Sequence, residues 1–226
     1  MTPEPLELVI FDCDGVLVDS EAAAQRVLDG GGGALGWRPT EAEADAFVGR
    51  RFHDLRAVFE LGSGRALPAN WPAMMQANLI AILPESVSLI PGADLALKGT
   101  AASGVPYRIA SNSSHQEMAI KFAVTGLSRL VAGRVHSAQD VGIGKPAPDL
   151  FLAAAAAEGR FTPGPAWWWR ISRPGVLAAI AAGMACVAYV PSGDGTEFAE
   201  LGAWPLRARW RRCRRCSMSP RRGRRA

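Results

Sequence analysis

Short apolar runs that end in polar residues recur along this chain. LELVIFDCD at residues 6–14 ends in two carboxylates, and VPYRIASNSS at residues 105–114 ends in small polar side chains. GRVHSAQD at residues 133–140 and MACVAYV at residues 184–190 are weaker examples of the same pattern. Such runs are typical of parallel strands that are buried on both faces. We therefore predict strands of one parallel sheet at these positions.

Helix-like segments alternate with these runs. They span residues 93–103, 115–125, 148–159 and 174–183. Strands that alternate with helices predict βαβ units and a doubly wound, Rossmann-like parallel sheet, which is an α/β fold. In such a sheet the functional residues gather at the carboxyl ends of the strands.

Residues 20–90 break this alternation and predict a helical cap inserted after the first strand. They contain helix-like segments and no convincing strand; the segments are residues 21–28, 41–48, 52–61 and 72–83. Gly30–Gly33 predict a break or flexible loop after the first of these helices, because each glycine costs about 1 kcal/mol relative to alanine in a helix interior. We accordingly divide the chain into a core, residues 1–19 and 91–206, and a cap, residues 20–90.

The net charge of +4 is concentrated at one end of the chain. Residues 207–226 contain ten arginines and no acidic residue, whereas residues 1–206 carry 15 basic and 21 acidic side chains. Arginine blocks of this kind are usually disordered and attract polyanions. We therefore expect the tail to be disordered. Because Trp210 is the only aromatic residue in the tail, we do not expect nucleic acid as a partner.

The apolar pattern and the cysteines favour a reducing compartment. No apolar run is long enough to span a bilayer, and acidic Glu4 and Glu7 stand where a signal peptide would be basic. Cys13 and Cys186 lie in strand-like segments, which is typical of buried, reduced thiols. Cys213-x-x-Cys216 has no second pair or histidine nearby to complete a zinc site. We expect a cytoplasmic monomer with no membrane partner.

Asp12 and Asp14 are the first candidate catalytic residues. In an extended segment, side chains two positions apart point to the same side, so both carboxylates can face one substrate. One acid can then act as nucleophile or metal ligand and the other as general acid and base. The spacing alone leaves an alternative, in which the aspartates only cap the sharp turn that Gly15 allows.

Three motifs in order give a more specific interpretation. FDCDGVLVDSE at residues 11–21 resembles the first motif of the haloacid dehalogenase superfamily, IASNSS at residues 109–114 its second motif, and GKPAPD at residues 144–149 its third. The resemblance covers residues 6–190, including a helical cap after the first motif. It implies a Rossmann-like core with a C1-type cap, in the branch of the β-phosphoglucomutases and phosphoglycolate phosphatases.

The resemblance implies a Mg²⁺-dependent phosphatase that acts on a small-molecule phosphate ester. Asp12 would attack phosphorus and form an aspartyl-phosphate, while Asp14 would protonate the leaving alkoxide and then activate water. Ser111 and Asn112 would bind the phosphoryl group, and Lys145 would neutralise phosphate and nucleophile. Mg²⁺ would be held by the Asp12 side chain, the Asp14 main-chain carbonyl and a fourth-motif acid. These roles suit phosphoryl transfer, which needs a placed nucleophile and neutralisation of dispersed negative charge.

The fourth motif departs from the family pattern. An acidic pair is expected before SxxGxxAAxAAGM, and RISRPGVLAAIAAGM at residues 170–184 matches that run from Ser172 onward. Arg170 and Ile171 stand where the acids belong. Ile171 cannot coordinate Mg²⁺, and Arg170 would compete with the cation. We therefore expect metal binding, and with it activity, to be impaired in this chain.

Three consecutive tryptophans, Trp167–Trp169, precede this departure. Indoles on both faces fit a packed parallel strand poorly. Tryptophan has the single codon TGG. Three TGG codons followed by AGG for Arg170 and ATN for Ile171, read one base earlier and preceded by a G, give GTG GTG GTG GAG GAT, which encodes Val-Val-Val-Glu-Asp. Because this shift restores an apolar strand and the acidic pair, we interpret residues 167–171 as an out-of-frame segment. The alternatives are a divergent strand and a tryptophan surface patch.

Single positions separate the branches of the family. Asp14 argues against dehalogenation, and the lack of any lysine before Lys98 excludes the Schiff-base chemistry of phosphonatases. Mutases of the β-phosphoglucomutase type carry a catalytic histidine where this chain has Ala24, so hydrolysis is favoured over mutation. A phosphomutase, and a non-catalytic protein of this fold that binds phosphorylated ligands or polyanions, remain as alternatives.

Polar residues outside the motifs supply candidate substrate contacts. Arg50, Arg51 and His53 form the one concentrated polar group of the cap and could contact the distal part of a substrate, or could simply be a solvated helix start. His115 follows the second motif and could either contact phosphate or cap the next helix. We interpret it as a cap.

Overall fold

The computed structural model describes residues 7–47, 49–159, 166–170, 173–190 and 195–206. Val48, Ile171 and the arginine-rich tail at residues 207–226 lie outside the described residues. Predictions about the end of the second cap helix, the lost metal ligand and the tail therefore rest on the sequence.

The strands in the described part of the chain form a six-stranded sheet and a two-stranded sheet. They are β1 Leu8–Phe11, β2 Val18–Asp19, β3 Ser88–Leu89, β4 Tyr107–Ser111, β5 Val135–Ser137, β6 Ala166–Arg170, β7 Ala185–Tyr189 and β8 Trp204–Leu206. Six of them form one sheet in the order β5-β4-β1-β6-β7-β8, in which every neighbouring pair is parallel. β2 and β3 pair antiparallel. The predicted α/β fold with a Rossmann-like parallel sheet is confirmed.

Helices connect these strands. They are α1 Glu21–Leu35, α2 Glu41–Phe47, α3 Phe52–Ser63, α4 Trp71–Ser86, α5 Ala93–Ala102, α6 His115–Val124, α7 Ser128–Val131, α8 Ala138–Val141, α9 Asp149–Ala156, α10 Arg173–Ala181 and α11 Thr196–Glu200. The short elements α7, α8, α11 and β8 were not predicted. Each has five residues or fewer, too few for a hydrophobic period to be recognised.

β1 lies inside the sheet and is buried on both faces. Leu8 and Ile10 pack with residues of α9, α10 and α11, whereas Val9 and Phe11 pack with residues of α5, α6 and α7. This division follows from the two-residue period of a strand. The apolar side chains of β1 thus pack against both helical layers. Asp12 follows directly after β1 and therefore lies at the centre of the carboxyl edge of the sheet.

Four helices, α1–α4, lie between β2 and β3 and carry a hydrophobic cluster of their own. Ala23, Phe59 and Leu83 are its most buried members, and Ile120 of α6 packs against it. The pairing of Val18 with Leu89 and Asp19 with Ser88 closes the two ends of this insertion. Two-residue strands of this kind carry no alternating pattern, so the sequence predicts no strand here.

The predicted break at Gly30–Gly33 is wrong, because α1 continues to Leu35. A Cβ atom built at Gly31 would lie 2.5 Å from Met75 Cε of α4, and one at Gly32 would lie 2.7 Å from the main-chain oxygen of Trp37. These two glycines let α4 and the turn after α1 approach the helix more closely than a larger residue would permit. Tertiary packing therefore outweighs the poor helix propensity of glycine.

The tryptophan run forms the strand beside β1. Trp167, Trp168 and Trp169 of β6 pair through their backbones with Val9, Ile10 and Phe11, and on the other side with residues of β7. The backbone of this segment thus occupies the position that the fourth motif predicts for it.

None of the helices described here has both the length and the apolar character needed to cross a bilayer.

Candidate active site

Asp12 and Lys145 form a buried ion pair at the carboxyl edge of the sheet. Asp12 follows β1 directly, and Lys145 lies in the loop before α9. Lys145 Nζ donates to Asp12 Oδ1 at 2.7 Å and to the Ala110 main-chain oxygen at 2.8 Å, and the Cys13 N–H donates to the same Asp12 oxygen at 2.8 Å. The ammonium also lies 5.1 Å from the ring centroid of Phe151. The lysine and aspartate side chains are 0% and 2% exposed, so their ion pair offsets part of the free-energy cost of burying the two charges.

Asp14 lies two residues further along and is held by donors from four segments. Its Oδ1 accepts from Ser20 Oγ at 2.5 Å and from Lys121 Nζ at 2.6 Å. Its Oδ2 accepts from Ser113 Oγ at 2.9 Å and from Ser111 Oγ at 3.3 Å. The two aspartates thus have separate partners, although they stand on one loop.

The electrostatics of Asp14 are set by Lys121. Burial favours the neutral acid, but the charge of Lys121 and the hydrogen bonds from Lys121, Ser20 and Ser113 outweigh it and lower the pKa of this carboxyl. Burial likewise disfavours the Lys121 ammonium, but Asp14 reverses that effect and raises the pKa of the lysine. Without substrate, the two groups are therefore an ion pair.

Cys13, between the two aspartates, is not a candidate nucleophile. The thiol is fully buried, and this burial together with the charge of Asp14 raises its pKa well above the ordinary value. A neutral thiol is a poor nucleophile. The predicted role of Cys13 as a buried, reduced thiol agrees with this environment, and Cys186 is buried and free as well.

Ser111 is the last residue of β4 and contacts Asp14, and Asn112 follows it. Ser111 is buried, donates to Asp14 as described, and accepts from the Ser113 N–H at 3.0 Å. Asn112 Oδ1 accepts from the Lys145 N–H at 2.8 Å, and its Nδ2 donates to the Gly49 main-chain oxygen at 2.8 Å. In this structure the Asn112 side chain thus links the third-motif loop to the segment before α3.

Arg50, Arg51 and His53 gather around Asp54 rather than around the aspartate pair. Arg51 donates through Nε and Nη2 to the two Asp54 carboxylate oxygens at 3.0 and 3.1 Å, and through Nη1 to the Gly142 main-chain oxygen at 3.0 Å. Arg50 donates to the Asp54 main-chain oxygen at 3.1 Å, and the 83% exposed His53 ring lies 3.4 Å from Asp54 Oδ1. Arg51 thereby joins the start of α3 to the loop after α8.

The interpretation of His115 as a helix cap is wrong. Ser114 is the N-cap of α6, where its hydroxyl accepts from the Glu117 N–H while the Glu117 carboxylate accepts from the Ser114 N–H. The His115 ring instead lies 2.7 Å from Asp140 Oδ1 of α8. A serine with a glutamate three residues later is a capping box, and this signal was available in the sequence.

Sequence reasoning missed Ser20, Ser113 and Lys121, all of which contact Asp14. Lys121 is 2% exposed and lies on the inward face of α6 with Met118 and Phe122. A lysine within an apolar stripe at three- and four-residue spacing could have drawn attention to it. Its partner, 107 positions away, could not have been identified from that spacing.

Arg170 stands at the register position beside Asp12. Trp169 pairs with Phe11, and the following residue of β6, Arg170, therefore comes level with Asp12. This is the position at which the fourth motif would supply an acid. Ile171 lies outside the described residues.

The donor set for Mg²⁺ is small. The Asp12 carboxylate and the Asp14 main-chain carbonyl fit this ion, which accepts one or two carboxylates together with phosphate and water oxygens. Among the residues that the structure describes, no cluster of three or more His, Cys, Asp or Glu side chains could hold a metal. A metal here would depend on phosphate and water for most of its ligands.

The described residues combine a Rossmann-like parallel sheet, a buried aspartate–lysine pair at the end of its central strand β1, and a helical insertion after that strand. The model of the haloacid dehalogenase-like hydrolases matches residues 6–166. The chain belongs to this family, as the three motifs predicted. The match ends where the tryptophan run begins.

Individual relatives agree with this assignment. The chain is 31% identical over 191 residues to a Drosophila melanogaster protein named "Probable pseudouridine-5'-phosphatase", with 79% of each chain covered. It is 27% identical over 193 residues to Hexitol phosphatase A of Escherichia coli K12, covering 85% of this chain and 87% of that protein. Among solved structures, a HAD family hydrolase from Deinococcus radiodurans R1 with bound phosphate and sodium is 30% identical, with a TM-score of 0.68 and coverage of 89% and 90%.

Proposed function

We propose that this chain is a phosphatase that hydrolyses a small phosphorylated metabolite, such as a sugar phosphate, through an aspartyl-phosphate at Asp12. The observation that carries the proposal is the buried Asp12–Lys145 pair at the end of β1, with Asp14 and Ser111 beside it. The predicted class, a phosphoric monoester hydrolase, is supported by the relatives, two of which are named phosphatases, and by the phosphate bound to the Deinococcus protein.

In the first step, an Asp12 carboxylate oxygen bonds to phosphorus as the bond from phosphorus to the alkoxide oxygen breaks. Lys145 holds positive charge against Asp12 and the transferring group, and Ser111 and Asn112 stand beside them. Asp14 gives its proton to the leaving alkoxide. Lys121 favours the ionised form of Asp14. Asp14 therefore takes up this proton from solvent beforehand, when the negative charge of the bound phosphate raises the pKa of its carboxyl group.

In the second step, Asp14 takes a proton from water as the water oxygen bonds to phosphorus. The bond from phosphorus to Asp12 breaks and inorganic phosphate leaves, which frees the Asp12 carboxylate. Asp14 then releases its proton to solvent, and its ion pair with Lys121 forms again. One group thus serves as acid and then as base, as the placement of Asp14 two residues after the nucleophile allows.

Mg²⁺ would be held by the Asp12 carboxylate and the Asp14 carbonyl, and it would supply positive charge to the phosphoryl oxygens. Lys145 is the positive side chain that contacts the proposed nucleophile, Asp12. With Arg170 level with Asp12 in place of an acid, we expect weak metal binding.

Arg50, Arg51 and His53 remain the proposed contacts for the distal part of the substrate. Arg51 is engaged on both sides, with Asp54 and with Gly142, and so serves to fix the segment. Arg50 and His53 are exposed and make one contact each to Asp54, which leaves them better suited to meet a substrate.

The test is phosphate release from a hexitol phosphate, a nucleoside 5'-phosphate and a hexose phosphate in the presence of Mg²⁺, by the full chain and by Asp12→Asn. We expect release from at least one ester and loss of that release in the variant. Movement of phosphate within the hexose phosphate without release would instead support the mutase. Binding of the esters without turnover in either protein would support the non-catalytic alternative.

A further inference from the structure

Lys121 is a buried charge that neither the three motifs nor the proposed steps require. Its side chain is 2% exposed, and it projects from the face of α6 that also buries Met118 and Phe122. Lysine is rarely buried to this extent unless it is paired. The pairing here is with a residue of the site itself.

The side chains of Lys121, Asp14 and Ser113 are all hydrogen-bonded to one another. The Lys121 ammonium donates to Asp14 Oδ1 at 2.6 Å and to Ser113 Oγ at 2.8 Å, and Ser113 Oγ in turn donates to Asp14 Oδ2 at 2.9 Å. Each oxygen of the carboxylate is thereby held from the α6 side. Ser20 holds Oδ1 from the start of α1 as well. Rotation of the Asp14 side chain about either of its bonds would break at least one of these contacts.

Stability does not explain a lysine at this position. Replacing a buried ion pair by apolar residues of similar volume is often neutral or stabilising, because the desolvation of two charges is then avoided. An apolar residue at position 121 together with an uncharged residue at position 14 would serve the packing of α6 without that cost. The contribution of Lys121 is therefore to be sought in the placement of Asp14.

We propose that Lys121 is a positioning residue for Asp14: with Ser113 it holds the carboxyl group in the orientation from which protons are exchanged with the leaving group and with water. The inference rests on the proposed function, in which Asp14 is the general acid and base. It assigns the lysine no contact with substrate.

The test compares two esters that differ in their need for a proton. Glycerol 2-phosphate releases an alkoxide that must be protonated, whereas p-nitrophenyl phosphate releases a phenolate that is stable without it. Lys121→Met should lower kcat/KM for glycerol 2-phosphate by about tenfold or more and kcat/KM for p-nitrophenyl phosphate by less than about threefold, because kcat/KM reports the steps up to departure of the leaving group and not the later hydrolysis of the aspartyl-phosphate, which both esters share. Lys98→Met, at an exposed lysine that also pairs with an aspartate, is the matched control and should change neither.

A double-variant comparison separates positioning from a general loss of structure. In an Asp14→Asn background, Lys121→Met should cause no further loss with glycerol 2-phosphate, because the residue it acts through is already changed. This background also removes the partly buried Asp14 carboxylate that the single variant leaves without its lysine, in case the single variant folds poorly.

Each outcome decides the matter. Equal losses of kcat/KM for both esters, an unchanged or higher kcat/KM for glycerol 2-phosphate, or a further loss in the Asp14→Asn background would overturn the positioning role. A parent that releases phosphate from neither ester, both as the unaltered chain and with Val-Val-Val-Glu-Asp at 167–171, would overturn the proposed function and this inference with it, whereas an active parent confines any failure to the inference.

Discussion

Lys145 Nζ lies 2.7 Å from Asp12 Oδ1, although the two residues are 133 positions apart in the sequence. They meet because β1 and β4 are parallel neighbours whose carboxyl ends share one edge, and because Lys145 also donates to Ala110 of β4. The sheet order therefore brings the first and third motifs together. The candidate site is a consequence of this topology rather than of any local segment.

Breaking the Asp12–Lys145 pair should destabilise the protein. Lys145→Met leaves the Asp12 charge buried at 2% exposure, and we expect the free energy of unfolding to fall by about 3–5 kcal/mol. Chemical denaturation of the two proteins measures this change. Asp12→Asn/Lys145→Met should recover much of the loss, whereas a loss that persists in the double variant would contradict the assignment of the loss to the broken ion pair.

An exposed pair provides the control for that experiment. Lys98 Nζ lies 2.8 Å from Asp94 Oδ2, but the lysine side chain is 58% exposed. Lys98→Met should change the free energy of unfolding by about 1 kcal/mol or less, because water and salt screen such pairs.

The glycines of α1 should respond in opposite directions to substitution by alanine. A Cβ at Gly33 meets nothing within 4 Å, so Gly33→Ala should raise the free energy of unfolding by about 0.5–1 kcal/mol through helix propensity. A Cβ at Gly32 would lie 2.7 Å from the Trp37 oxygen, so Gly32→Ala should lower it by about 1–3 kcal/mol. Thermal unfolding of the two variants distinguishes them, and stabilisation by both would show that α1 does not pack as described.

These glycines also illustrate what sequence patterns could and could not predict. The apolar runs of β1 and β4 predicted buried parallel strands, since burial on both faces leaves a continuous apolar signal. The glycine run predicted a break, because propensity describes an isolated helix and carries no information about the approach of Met75 or Trp37. The close contact that makes glycine suitable there exists only in the folded protein.

The site divides in the same way. Asp12, Asp14, Ser111 and Lys145 follow strands or stand in recognisable motifs, and the structure brings all four together. Lys121 and Ser20 stand in no motif, and they reach Asp14 only because α6 and the start of α1 pack against the same loop. The helical period marks Lys121 as inward-facing, but its partner depends on tertiary structure.

Replacing residues 167–171 by Val-Val-Val-Glu-Asp should increase the affinity of the protein for Mg²⁺ and so raise its activity at low Mg²⁺ concentration. The change gives β6 side chains suited to a buried strand and exchanges Arg170 beside Asp12 for an acid. We expect half-saturation at a Mg²⁺ concentration lower by about a hundredfold, since a few kcal/mol of metal binding correspond to this factor. Titration of phosphatase activity with Mg²⁺ in both proteins measures it.

The matched control changes only the tryptophans. A variant with valine at 167–169 that keeps Arg170 and Ile171 should gain stability without gaining metal affinity. If the unaltered chain already saturates at millimolar Mg²⁺ with ordinary turnover, the segment is a functional variant and its interpretation as out-of-frame is wrong.

The most direct test of Asp12 as nucleophile is the Asp12→Asn variant, assayed by phosphate release from p-nitrophenyl phosphate with Mg²⁺. It should be carried out both in the unaltered chain and with Val-Val-Val-Glu-Asp at 167–171, so that weak metal binding does not mask the result. Removal of a covalent nucleophile should reduce turnover to below about a hundredth of that of the matching parent. Turnover above that level in Asp12→Asn would contradict the account, because hydrolysis would then proceed without the Asp12 carboxylate.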